Sequence, residues 1–268
     1  MRTVLTIAGS DSIAGAGIQA DLKTFAALGV YGVSALTAVT AQNTEGVGDV
    51  FTVEPRTVRA QIDLITADVE IAAVKTGMLA TGEIVRAVSD AAGRFRWPNV
   101  VVDPVMAAGT AGARTLLEPE AVSILKTLLL PVTTVVTPNV AEASILSGVE
   151  VHSLDDAREA AKRIAELGPA AVVIKGGHLA GVNAIDVLFH GGIFEEVTMP
   201  RVTKAAIHGT GCTFASAIAA GLALGDDIPG AVHRAKRYVT GAIEHSLAIG
   251  HGARILNHFW MSSSARPL

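Results

Sequence analysis

A glycine-punctuated stretch, His208-Gly209-Thr210-Gly211-Cys212-Thr213, leads straight into an alanine-rich segment where Phe214, Ile218 and Leu222 recur every four residues. That spacing makes one apolar helix face. The first turn of a helix carries unpaired backbone N–H groups and about half a positive charge, and glycines let a ligand come close to that backbone. The chemistry implied is anion binding, with phosphate the natural guest. Taken alone, the stretch has a plainer and preferred reading as a small-residue helix cap.

Other residues able to do chemistry follow apolar runs along the chain: Asp11, Gln42, Lys75 with Met78, Asp103, Asn139 with Glu142, and Lys175 with His178. Singly, each has an ordinary explanation: Asp11 and Asp103 as turn residues, Asn139 as a helix cap, Lys175 as a solvated loop charge. Together they mark one end of a sheet, and in open α/β sheets ligands bind at the carboxyl ends of the strands. Familiar phosphate motifs do not account for them. Gly15-Ala16-Gly17-Ile18-Gln19-Ala20 fits a loose dinucleotide fingerprint but begins several residues too late after its strand, and no glycine precedes Lys23-Thr24 or Lys75-Thr76 as a P-loop requires. Zinc-site spacing is absent too.

The elements that must hold these residues alternate between strand and helix. Residues 4–8 read as a buried strand, followed by a polar glycine loop and a helix with Ile18, Leu22 and Phe25 on one face. Further strands are expected at 33–40, 71–74, 100–102, 134–136 and 171–174, with helices after Pro55, at 83–92, from 118 to 129, after Asn139 and at 154–167. Residues 184–189 and 193–199, joined by His190-Gly191-Gly192, form an antiparallel hairpin, and two long helices close the chain near 210–224 and 228–249. The expected fold is a single α/β domain over residues 1–268: a mostly parallel, twisted sheet with helices on both faces and a hairpin at one edge.

Composition agrees. Half of the 268 residues are hydrophobic, 27 are glycine and only 4% are aromatic, which suits strands buried on both faces under small-residue helices. A formal charge of −4 gives no general pull toward nucleic acid or anionic membrane. The lone cysteine, Cys212, allows no internal disulfide, and no apolar run reaches membrane-spanning length. The expectation is a cytoplasmic protein.

The ordered motifs then carry a resemblance. Thr6-Ile7-Ala8-Gly9-Ser10-Asp11-Ser12, residues 15–24, Thr37-Ala38-Val39-Thr40-Ala41-Gln42-Asn43-Thr44, Lys75-Thr76-Gly77-Met78, Asp103-Pro104-Val105-Met106, Thr137-Pro138-Asn139 with Glu142, Lys175-Gly176-Gly177-His178 and residues 208–213 closely resemble the hydroxymethylpyrimidine/phosphomethylpyrimidine kinases of thiamine biosynthesis, which have the ribokinase-like fold. The resemblance implies successive ATP- and Mg²⁺-dependent phosphorylation of an aminopyrimidine alcohol and then of its monophosphate. It assigns Asp21, Gln42, Met78 and Val105 to the pyrimidine pocket. Gly209, Thr210, Gly211 and Cys212 become the catalytic anion hole, with Cys212 near the accepting hydroxyl. Lys175, Asn139 and Asp103 fall on the ATP side, and Glu142 in the Mg²⁺ shell. It also implies a homo-oligomer, a dimer, with no nucleic-acid or membrane partner.

Three segments depart from the family pattern: Ile13-Ala14 where Ser-Gly is usual, residues 107–113, and Lys204-Ala205-Ala206-Ile207 ahead of the anion loop. Two other readings stay open. One is a pyridoxal kinase of the same superfamily; the other is a non-catalytic relative that binds pyrimidine or nucleotide.

Overall fold

Apolar runs without a polar face, such as Val100-Val101-Val102, can only be strands covered on both sides, and this is how the chain builds its centre. The computed structural model describes residues 1–107, 116–177, 181–202 and 206–263. In chain order the elements are β1 (Thr3–Asp11), α1 (Gly17–Ala27), β2 (Tyr31–Gln42), β3 (Val47–Thr52), α2 (Pro55–Asp68), β4 (Ala73–Thr76), α3 (Gly82–Phe95), β5 (Val100–Val102), α4 (Pro119–Ile124), β6 (Val135–Val136), α5 (Val140–Ser147), α6 (Leu154–Ala165), β7 (Ala171–Ile174), β8 (Asn183–His190), β9 (Ile193–Pro200), β10 (Ile207–His208), α7 (Thr210–Leu224), α8 (Ile228–Glu244), β11 (Arg254–Ile255) and α9 (Trp260–Ser263).

Nine strands make one sheet in the order β3-β2-β1-β4-β5-β6-β7-β8-β9. The six from β2 to β7 are parallel, β3 is antiparallel at one edge, and the β8–β9 hairpin is antiparallel at the other. From β1 the chain goes to β2 on one side, and later sets β4 on the other side of β1. The carboxyl ends of β1 and β4 therefore flank a topological switch point, where an open α/β sheet offers a crevice.

Alternate strand residues divide between two cores. Leu5, Ile7, Val100, Val102, Val172 and Ile174 pack with α2, α3, α4 and α6, whereas Val4, Val101, Ala171 and Val173 pack with α1, α7 and α8. Helix α7 is buried continuously from Thr213 to Ala223, so its alanines are what let it lie close under the sheet. Its N-terminus is thereby pinned at the crevice.

Three expectations change. Residues 47–52, Val-Gly-Asp-Val-Phe-Thr, form β3; two of their six side chains are charged or absent, and the strand lies at an exposed edge, which hid its alternation. The helix expected over 118–129 stops as α-helix at Ile124 and continues as a π-helical turn, Leu125–Leu129, before Pro131. The last long helix ends at Glu244 rather than 249; residues beyond it turn back, and β11 pairs in parallel with β10.

Candidate active site

A cleft of about 790 Å³ opens over the carboxyl ends of the parallel strands. Of the residues expected from the sequence, Gln42, Met78, Val105, Asp103, Asn139, Glu142, Lys175, Gly209, Thr210, Gly211 and Cys212 all line it. Asp21 does not. The volume lies in the upper range for small-molecule sites and has room for more than one ligand.

One part of the wall is apolar with a single amide. Gln42 ends β2, where its backbone and the Ser12 hydroxyl exchange hydrogen bonds of 2.7 and 2.8 Å. Met78 follows β4 and is nearly buried against Ala38 and Ala80, with Val105 beside them. Its thioether sits against Gly9, where any side chain would begin 3.3 Å from the sulfur. A flat heteroaromatic ring suits such a wall: apolar faces, and one amide to read its edge.

Another part is built for an anion. Gly209 precedes α7 with φ of 87° and offers no side-chain cap, so the first-turn amides of Thr210, Gly211 and Cys212 are left to the cleft. Only glycine fits there, since a Cβ would lie 1.8 Å from the Gly15 carbonyl oxygen. Lys175 Nζ lies close to Gly211 and donates to Asp103 Oδ1 at 2.7 Å, and Thr137 also donates to that oxygen. Burial alone would lower the Lys175 pKa, but Asp103 and then Glu142 outweigh it, and the net shift is upward. The ammonium stays charged.

Asn139 and Glu142 form a capping box on α5: each side chain accepts from the other's backbone N–H, at 2.9 and 2.8 Å. Burial pushes the Glu142 carboxyl up, against the pull of Lys175. Cys212 behaves likewise: burial raises its thiol to about 11 despite the nearby Lys75 charge. At neutral pH the thiol is therefore protonated, a poor starting point for a general base.

Asp21 must be reassigned. Its carboxylate is fully buried and wholly used inside the protein, accepting from Lys75 Nζ at 2.8 and 2.9 Å and from the hydroxyls of Thr6 and Ser216 at 2.6 Å each. Sequence spacing placed it correctly on the inner side of α1; what it could not reveal was that a lysine from β4 and two hydroxyls take up its carboxylate. The pair ties α1, β1, β4 and α7 together beneath the anion site.

A family model described as phosphomethylpyrimidine kinase matches residues 11–257. The chain belongs to the phosphomethylpyrimidine kinase family. It is 47% identical over 256 residues to the hydroxymethylpyrimidine/phosphomethylpyrimidine kinase of Bacillus subtilis, covering 95% of this chain and 94% of that one. It is also 47% identical over 264 residues to the thiamine biosynthesis bifunctional protein ThiED of Geobacter sulfurreducens, where 98% of this chain spans only 54% of the longer protein. Among solved structures, an ADP complex of Bacillus subtilis pyridoxal kinase superposes with a TM-score of 0.90 at 40% identity, covering 98% and 99% of the two chains.

Within this phosphomethylpyrimidine kinase family member, four further residues belong to the site. Asp11, at the end of β1, receives N–H groups from Ile13, Gly15 and Ala16 and the imidazole of His208. Asp186 on β8 and Lys236 on α8 make a buried 2.8 Å ion pair that also lines the cleft. His208 stood inside the glycine motif and Asp11 after the first strand, so both carried a signal. Asp186 and Lys236 lie in the middle of plain elements and carried none.

The departures from the family pattern also find places. Ala14 has φ of 59°, a left-handed conformation that a glycine adopts without strain. Ala107, Ala206 and Ile207 line the cleft. His178, residues 108–113 and Lys204 with Ala205 lie outside the described residues.

Proposed function

We infer that the protein phosphorylates 4-amino-5-hydroxymethyl-2-methylpyrimidine with ATP, and then its monophosphate to the diphosphate. The observation that carries this reading is the uncapped N-terminus of α7, which faces, beside Lys175, the same cleft as the Gln42–Met78–Val105 wall. Family membership and the Bacillus relative support the substrate; the ADP complex of the pyridoxal kinase supports the nucleotide.

Phosphoryl transfer through a loose transition state asks mainly for alignment and charge neutralisation. The amides of Thr210, Gly211 and Cys212 are fixed before substrate arrives, because α7 is buried along its length, and so they meet the transferring phosphoryl oxygens without reorganisation. Lys175, held by Asp103, adds a full charge beside Gly211. The apolar wall stacks the ring and Gln42 orients it. Cys212 contributes its backbone N–H, and its neutral thiol sits as a polarisable neighbour of the accepting hydroxyl.

The donor set fits magnesium shared with nucleotide phosphates. Asp103 and Glu142 both line the cleft near Lys175, and among the described residues no group of three or more His, Cys, Asp or Glu side chains is placed to hold a metal by itself. Magnesium ordinarily takes one or two carboxylates, several waters and phosphate oxygens; bound here it would neutralise phosphate charge. Glu142 and Asp103 would hold it, with Asn139 fixing the Glu142 carboxylate.

The high similarity to a pyridoxal kinase favours one alternative, a hydroxymethylpyridine as acceptor. The deciding assay incubates the protein with ATP, Mg²⁺ and the aminopyrimidine alcohol, alone and with pyridoxal as competitor. Monophosphate followed by diphosphate supports the reading; faster consumption of pyridoxal transfers it to the alternative; binding without product makes the chain a non-catalytic relative.

A further inference from the structure

Gln42 is shared with a residue that the function does not use directly. His208 Nε2 lies 2.9 Å from Asp11 Oδ2 and 2.9 Å from one of the two terminal atoms of the Gln42 side-chain amide. One ring nitrogen cannot both donate to the first and accept from the second. Asp11 is the fixed partner. Although burial raises its pKa, the His208 hydrogen bond and the backbone N–H groups of Ala16 and Ile13 bring it below the usual value, so it is an acceptor only. His208 Nε2 must then carry a proton, in either its neutral Nε2–H form or its charged form.

With its one proton directed to Asp11, Nε2 has no lone pair for an NH₂ group at 2.9 Å, so the amide oxygen faces it and shares that proton. The other side of the amide gives the same answer independently. The Thr40 hydroxyl donates its single proton to the Ser10 carbonyl at 3.0 Å, so at 3.3 Å it can only accept from Gln42. The amide oriented this way satisfies both neighbours at once. It leaves one amide N–H for the cleft.

The imidazole is held firmly enough to impose this. Its Cδ2 packs on Gly15, where a Cβ would approach to 2.5 Å, and its backbone is laddered between β10 and β11, opposite Ile255.

We propose that His208, held by Asp11, is the positioning residue that fixes the Gln42 side chain with its oxygen toward the imidazole and an N–H toward the cleft, and so selects a heteroaromatic ring presenting an unprotonated ring nitrogen. This rests on the functional reading above, and it adds to that reading the residue that sets ring orientation.

The test is a double-mutant cycle read in steady-state kinetics, with His208→Leu, His208→Gln, Gln42→Ala and the His208→Leu/Gln42→Ala pair. Circular dichroism melting establishes that each variant is folded. His208→Leu should raise KM for the pyrimidine about tenfold, a loss typical of one well-placed hydrogen bond, while KM for ATP stays within about twofold of wild type. Glutamine, whose amide nitrogen reaches about as far as Nε2 and donates without titrating, should restore most of the loss. In the Gln42→Ala background His208→Leu should add nothing. An additive cycle, an unchanged KM in His208→Leu, or a glutamine variant as poor as leucine overturns the proposal. Wild-type protein that makes no pyrimidine phosphate fails the functional reading instead, and the cycle is then read with pyridoxal as acceptor.

Discussion

Lys75→Met probes the ion pair beneath the anion site. Both side chains of the Asp21–Lys75 pair are 0% exposed, with N–O separations of 2.8 and 2.9 Å. At an effective dielectric near 20, two charges at that distance attract by about 6 kcal/mol, while desolvation takes several kcal/mol per ion. The intact pair therefore comes close to breaking even. Its deletion does not, because Lys75→Met leaves the Asp21 carboxylate buried with only two hydroxyl donors, at a cost of about 3–5 kcal/mol. That is a large share of the roughly 5–15 kcal/mol a domain has. Asp21→Asn should lose a similar amount, since Lys75, whose pKa burial lowers but Asp21 and then Cys212 and Asp103 raise more strongly, loses its principal partner. The double variant Asp21→Asn/Lys75→Met should be at least about 2 kcal/mol more stable than the sum of the singles implies. Urea unfolding followed by circular dichroism and tryptophan fluorescence measures all four proteins, and KM for the pyrimidine is measured on the folded Asp21→Asn variant. A loss below about 1 kcal/mol in Lys75→Met would refute the electrostatic argument. A tenfold rise in KM in Asp21→Asn without loss of stability would return Asp21 to the substrate.

Gly209→Ala should lower kcat by about 10²-fold or more, because its Cβ collides with the Gly15 carbonyl and moves the α7 amides off the phosphate; melting temperature and kcat together check this. Ala14→Gly should stabilise the fold by about 1 kcal/mol, as glycine relieves the left-handed φ of 59°, and an unchanged urea midpoint would count against it. His258, which shares a 3.1 Å hydrogen bond with Thr213, is held neutral: burial, helped by the Lys23 charge, lowers its pKa from 6.5 to about 4. The unfolded chain binds that proton more readily, so stability should fall by roughly 3 kcal/mol as pH drops from about 6.5 to about 4. His258→Gln should flatten this limb in unfolding titrations.

The parallel core and most of the cleft were legible in the sequence because each signal was local. Apolar runs such as Val100-Val101-Val102 and Ala171-Val172-Val173-Ile174 identify strands buried on both faces, and polar residues directly after them identify the ligand-binding end. Strand β3 was not legible, since an exposed edge strand containing Gly48 and Asp49 has no apolar alternation to read. The Asp21 assignment failed for a different reason. Its partner Lys75 lies 54 residues away, and only the pairing of β1 with β4 brings the two together. The same limit hid Asp186 and Lys236, whose meeting depends on α8 packing across the hairpin edge. Residue types and spacing show which groups share a face; contacts that close over long loops need the fold.

If one cleft uses the α7 N-terminus to move phosphate onto an aminopyrimidine alcohol twice, both products should form in the same sample. Phosphorus NMR of the protein incubated with ATP, Mg²⁺ and that alcohol follows both products in one sample. A monophosphate signal should rise and then give way to the diphosphate, with pyridoxal at equal concentration consumed more slowly. Faster pyridoxal phosphorylation, or ATP left intact beside bound pyrimidine, would contradict it.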